Sequence, residues 1–121
     1  MVLAFKPEFE KPIRIGTKIH TIREDKTNRW YPGRTIHFAT GVRTKKYLQF
    51  KYGFVRDIQH IIVENHNIQV DGWILHDYQM EILSKNDGFE TLEKFFEFFD
   101  KPFSGKIIHW YRGNRILYKK P

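Results

Sequence analysis

The sequence predicts an α+β fold: a curved, mostly antiparallel sheet of about six strands closed into a small β-barrel, with two to three short helices packed on one side. Three observations lead there. Short β-branched and aromatic runs recur along the chain, and Gly, Pro, Asn or Asp turn residues separate them. Clear helical periodicity is confined to residues 77–99. The 121 residues suit one domain with a real core, and a 17 % aromatic content excludes a disordered chain. Residues 1–121 are therefore read as a single domain.

Val2-Leu3-Ala4-Phe5 reads as a short buried strand. Pro7 and Pro12 prevent one long helix across 6–12, but Pro12 suits the first turn of a short helix through Ile13 and Ile15. Gly16 ends that helix, and a strand follows from Lys18 to Arg23. Glu24 to Asn28 is polar loop, and Trp30-Tyr31-Pro32-Gly33 is a turn. Thr35 to Gly41 alternates as a strand does, and 43–47 is a basic loop or irregular strand. Phe54 to Val63 is read as one strand, returning through Glu64–Asn67 into Ile68-Gln69-Val70, with Asp71-Gly72 as a second turn. A helix is expected from Asp77, as N-cap, to Lys85. Leu92, Phe95, Phe96 and Phe99 stand at i, i+3, i+4 and i+7 of a second helix capped by Thr91 or Glu90. Lys106 to Tyr111 is a strand, 113–114 a turn, and 116–118 a last edge strand.

The net charge of +7 is unevenly spread. Residues 1–60 carry 13 basic against 5 acidic side chains, 61–100 carry 2 against 9, and 101–121 carry 6 against none. Separate basic and acidic faces follow, and the basic one attracts polyanions, nucleic acid first. Cysteine is absent, which excludes disulfides and thiolate chemistry and permits the cytosol, the expected location. The first twenty residues hold no apolar run of signal-peptide length, and no later run approaches a membrane span.

The chemistry concentrates in Gly16-Thr17-Lys18-Ile19-His20-Thr21-Ile22-Arg23. An ordinary strand alternates apolar residues with whatever faces water; this one carries a possible base, a hydroxyl and a fixed cation. It reads as the floor of a pocket. Lys18 as a general base needs a pKa of about 7–8 instead of about 10.4, roughly 4 kcal/mol of destabilisation of the ammonium. Thr21 becomes a nucleophile only beside a base; otherwise it is a ligand-contacting hydroxyl or simply a good strand residue. In a straight strand Lys18 and Thr21 point to opposite faces, so they converge only if Lys18 precedes the strand or the strand bends. Arg23 shares a face with Thr21, and its planar fork suits a phosphate, a carboxylate or a base edge, or an ion pair with Glu24, Asp25 or Asp87. The six histidines show no metal-ligand spacing, so no metal and no cofactor are expected.

The Gly-x-Lys-x-x-Thr-Ile-Arg run at 16–23, the Trp30-x-Pro-Gly turn, the Asp87-Gly88-Phe89 corner, the phenylalanine-rich helix and Ile107-Ile108-His109-Trp110 together resemble the ASCH domain, a branch of the PUA-like β-barrel group. The resemblance spans nearly the whole chain. It implies a pseudobarrel around a cleft for RNA or a nucleotide-like ligand. Some small members look like amidohydrolases acting on N4-acetylcytidine. Their proton-accepting lysine matches Lys18 and their nucleophilic threonine matches Thr21. Their proton-donating glutamate corresponds to Asp87, one methylene shorter.

Arg43, Lys45 and Lys46 with Tyr47, joined by Arg29, Arg34, Lys51 and Tyr52, resemble a surface for single-stranded RNA, where cations neutralise phosphates and rings stack on bases. Arg112, Arg115, Lys119 and Lys120 would extend it. His20 and Trp30 join Arg23 and the 43–47 residues as expected ligand contacts. Three functions follow: a domain binding RNA or a modified nucleoside in a cleft lined by Lys18, Thr21, Arg23 and Asp87; a small amidohydrolase using Lys18, Thr21 and Asp87; or a non-catalytic protein-interaction domain using the acidic middle.

Overall fold

The computed structural model describes residues 1–111 and 118–119. Among them, in chain order, are β1 (Val2–Phe5), a 3-10 turn (Pro7–Phe9), α1 (Glu10–Ile15), β2 (His20–Arg23), β3 (Thr35–Thr40), β4 (Leu48–Phe54) and β5 (Asp57–Glu64). Then come β6 (Asn67–Val70), β7 (Trp73–Ile74), α2 (Asp77–Asn86), α3 (Leu92–Phe98) and β8 (Phe103–His109). The architecture is α+β, with eight strands in two sheets rather than about six in one. The smaller sheet runs β1-β3-β4 and the larger β2-β8-β5-β6-β7; they do not close into a barrel.

The layering follows from β8. Ile107 and Ile108 point to opposite faces of that strand, and both are fully buried. Ile107 packs with Ile61, Val63, Leu83 and Phe95 under α2 and α3. Ile108 packs with Phe5, Ile13, Ile36, Phe38 and Trp110, between the larger sheet and the smaller sheet with α1. A strand apolar on both faces is a middle layer. The helices accordingly divide between two cores instead of sharing one side.

Turn chemistry sets the connections. Gly16 ends α1 at φ +88°, a conformation glycine adopts freely. Arg34 N–H donates to Tyr31 O across Pro32-Gly33, the expected turn. Asn65 and His66 both hold positive φ between β5 and β6, as a two-residue hairpin turn requires.

Four local expectations need correction. The single strand read over 54–63 is two strands: Val55 leaves the ladder to exchange backbone hydrogen bonds with Gly33 and Arg34. The strand β4 has no counterpart in the sequence reading; it is an edge strand, paired with β3 alone and without clean alternation. The N-cap of α2 is His76 rather than Asp77, and the His76 N–H is taken by Gln79 Oε1 at 2.9 Å. The strand Lys106 to Tyr111 is shifted: β8 begins at Phe103 and ends at His109. The turn expected at 113–114 and the strand at 116–118 lie outside the described residues, Tyr118 excepted.

Candidate functional site

The strand β2 begins at His20, so Lys18 lies in the short link between α1 and the strand. That removes the odd-spacing conflict between Lys18 and Thr21. Both line a cleft of about 340 Å³ with Arg23 and Asp87. The cleft forms where β1, β2 and the α2–α3 corner meet. Its apolar walls are Phe5, Phe9, Phe89, Phe98 and Phe99.

Lys18 is 3 % exposed. Its Nζ donates to the Asp87 carbonyl oxygen and stands 3.7 Å from Asp87 Oδ1. The ammonium also lies 5.0 Å from the Phe9 ring centroid and 5.8 Å from that of Phe5. Burial drives the Lys18 pKa below its ordinary value; the Asp87 carboxylate opposes that shift and the Arg23 cation adds to it. The direction is the one a lysine base requires.

Asp87 caps α2, and Gly88 behind it turns the chain at φ +97°. A Cβ at Gly88 would stand 3.1 Å from Lys18 Cδ and 3.3 Å from Phe9 Cε1, so the glycine lets the corner close on the lysine stem. Asp87 Oδ1 accepts from His20 Nδ1 at 2.8 Å. His20 Nε2 meets the Tyr118 hydroxyl, which also accepts from Asn86 Nδ2 at 3.2 Å. Burial lowers the His20 pKa against the pull of Asp87 and raises that of Tyr118. One proton arrangement fits: neutral His20 donates from Nδ1 to Asp87 and accepts a hydrogen bond from the Tyr118 hydroxyl at Nε2. His20 is fully buried and holds the acidic corner from behind; it does not line the cleft.

Thr21 Oγ1 accepts from Arg23 Nε at 3.3 Å. Arg23 Nη2 donates to Ala4 O at 2.6 Å, tying the larger sheet to the smaller. Its guanidinium lies 5.1 Å from the Phe5 ring centroid. Among the described residues no hydrogen bond joins Lys18 to Thr21, and Arg23 forms no ion pair with Glu24, Asp25 or Asp87. Asp25 instead accepts from Lys106 Nζ and from the Trp30 N–H, each at 3.0 Å. That anchor holds Trp30 in the core beside Phe5 and Ile36, away from the cleft. Arg43, Lys45, Lys46 and Tyr47 are exposed on the β3–β4 connection and do not reach the cleft either. Arg112, Arg115 and Lys120 lie outside the described residues.

The structure thus brings Lys18, Thr21, Arg23 and Asp87 into one cleft; His20 touches that set from behind, through Asp87, and Trp30 and the 43–47 residues lie apart from it. Phe9 and Tyr118 are site residues that the sequence reading missed. Phe9 sits between two prolines, and Tyr118 is 98 residues from its partner His20, so neither carries a local signal. No helix of the described residues is long and apolar enough to cross a membrane. Compared with known proteins, the chain matches no family model, no curated protein and no solved structure.

Proposed function

We propose that the chain binds RNA or a modified nucleoside, with one base seated in the cleft between β1, β2 and the 87–89 corner. The observation that carries this is the meeting of Lys18, Thr21, Arg23 and Asp87 in one cavity of about 340 Å³ walled by phenylalanine rings. That size lies within the range of small-ligand pockets. Rings offer a stacking surface to a base, while the hydroxyl, the guanidinium and the lysine offer donors to its carbonyl edge. The resemblance to the ASCH domain points the same way.

The second reading, hydrolysis of N4-acetylcytidine, is favoured by the depressed pKa of a buried lysine in the same cleft as a threonine. In it, neutral Lys18 takes the Thr21 hydroxyl proton as Oγ1 attacks the acetyl carbonyl. Asp87, 3.7 Å from the Lys18 ammonium so formed, relays that proton to the departing cytidine amine. Water then releases acetate from the threonine ester. Binding is placed first because Lys18 is hydrogen-bonded to Asp87, not to Thr21.

Calorimetric titration with N4-acetylcytidine, followed by assay for free cytidine, tests both. Saturable binding weakened about tenfold or more by Arg23→Ala supports the first reading. Release of cytidine abolished by both Lys18→Ala and Thr21→Ala supports the second. If neither the nucleoside nor single-stranded RNA binds better than an acidic control protein does at low salt, both readings fail.

A further inference from the structure

A second cavity, of about 650 Å³, lies along the free edge of β4. Lys18 lines it as well as the cleft, so the two meet at one side chain. Phe38 and Trp110 contribute its buried apolar lining. Tyr52, Phe54 and Tyr111 line it too, and they are 55 %, 40 % and 38 % exposed. Tyr52 packs edge-on against Phe54, with ring centroids 5.7 Å apart, and against His37 at 5.4 Å, and the rings of Tyr52, Phe54 and Tyr111 still keep enough open surface to serve as a stacking platform. The cations are interleaved with them: Lys51 Nζ lies 5.6 Å from the Phe38 ring centroid, and the Arg56 guanidinium 5.8 Å from that of Phe54. Among the described residues no aspartate or glutamate lines this groove.

We propose that this groove is a second nucleotide site, holding the neighbour of the nucleotide seated in the cleft, so that the ligand is a single-stranded RNA segment rather than a free nucleoside. The proposal rests on the nucleoside reading of the cleft and extends it. Exposed rings take the faces of bases, and cations beside them take the connecting phosphates, the combination by which single strands are held. The groove offers an anion Lys51, Arg56 and the shared Lys18 and, among the described residues, no carboxylate, which favours a polynucleotide over an acidic peptide laid along the β4 edge. Arg43, Lys45 and Lys46 are exposed on the β3–β4 connection that precedes the same strand.

The test compares an RNA trinucleotide centred on N4-acetylcytidine with the free nucleoside. The trinucleotide binds at least tenfold more tightly than the nucleoside. The double variant Tyr52→Ala, Phe54→Ala loses about tenfold or more for the trinucleotide and leaves nucleoside affinity unchanged. The pair Tyr52→Leu, Phe54→Leu, which keeps apolar bulk on the strand, loses a similar factor. Arg56→Gln lowers the slope of log affinity against log salt by about one. Equal affinities for the two ligands, or a trinucleotide indifferent to both double variants, overturn the groove while the nucleoside reading stands. A trinucleotide that binds through Tyr52 and Phe54 while the free nucleoside does not bind overturns the cleft reading and supports the groove. Displacement of the trinucleotide by polyglutamate at equal charge overturns it in favour of an acidic peptide.

Discussion

At the scale of single residues, the account depends on a buried ammonium and a buried carboxylate sharing partners. Asp87 is 4 % exposed and serves both Lys18 and His20. Asp87→Ala leaves the ammonium without its counter-charge, 3.7 Å away, and the His20 N–H without an acceptor, and urea unfolding should show a loss of about 3–5 kcal/mol. Asp87→Asn also removes the counter-charge but keeps an acceptor for His20, so it should recover about 1 kcal/mol of that loss. Equal losses would mean that the side chain does not hold His20. A second test concerns pH. Burial and the nearby His20 bring the His109 pKa down to about 3. The unfolded chain takes up that proton near the ordinary value of about 6.5, the native one only near 3, so stability falls as pH drops from 6.5 toward 3. At pH 5 the loss from this group is about 2 kcal/mol. His109→Phe should remove that share of the change between pH 7 and pH 5; an unchanged difference would show that His109 is not buried neutral.

At the scale of elements, two substitutions near the cleft should separate structure from function. Thr91 caps α3, accepting from the Lys94 N–H at 3.1 Å, and Thr91→Ala should cost about 1 kcal/mol with ligand affinity retained. Gly88→Ala meets both a left-handed backbone and the Lys18 stem. It should cost about 1 kcal/mol or more and also weaken ligand binding, because the lysine must move. Equal ligand affinity in the two variants would show that the corner does not position Lys18. The elements themselves were legible where burial is one-sided. Leu92, Phe95 and Phe96 give α3 its periodicity, and the paired turn residues Asn65-His66 mark the hairpin. The strand β4 was not legible, because Leu48, Gln49, Tyr52 and Phe54 are all exposed and an edge strand has little core to write an alternation for. The break at Val55 was hidden because that residue is apolar and buried on both readings.

At the scale of the whole molecule, the cleft is a product of layering. Ala4 and Phe5 come from the smaller sheet, Thr21 and Arg23 from the larger, and Asp87 and Phe89 from the corner between α2 and α3. The polar members of that set were visible in the sequence because they interrupt an apolar run. Tyr118, Phe9 and the split into two sheets were not, because long-range packing decides them. The +7 net charge with an acidic middle adds a directional field, so association with single-stranded RNA should weaken steeply as salt is raised. The central claim is that one base occupies the space between the sheets and the acidic corner. Amide chemical-shift mapping of the labelled protein during titration with N4-acetylcytidine tests it most directly. The account predicts saturating shifts confined to Phe5, Thr21, Ile22, Arg23, Gly88 and Phe89 and lost in Arg23→Ala; shifts that gather instead on the exposed 43–47 turn, or that survive in that variant, would contradict it.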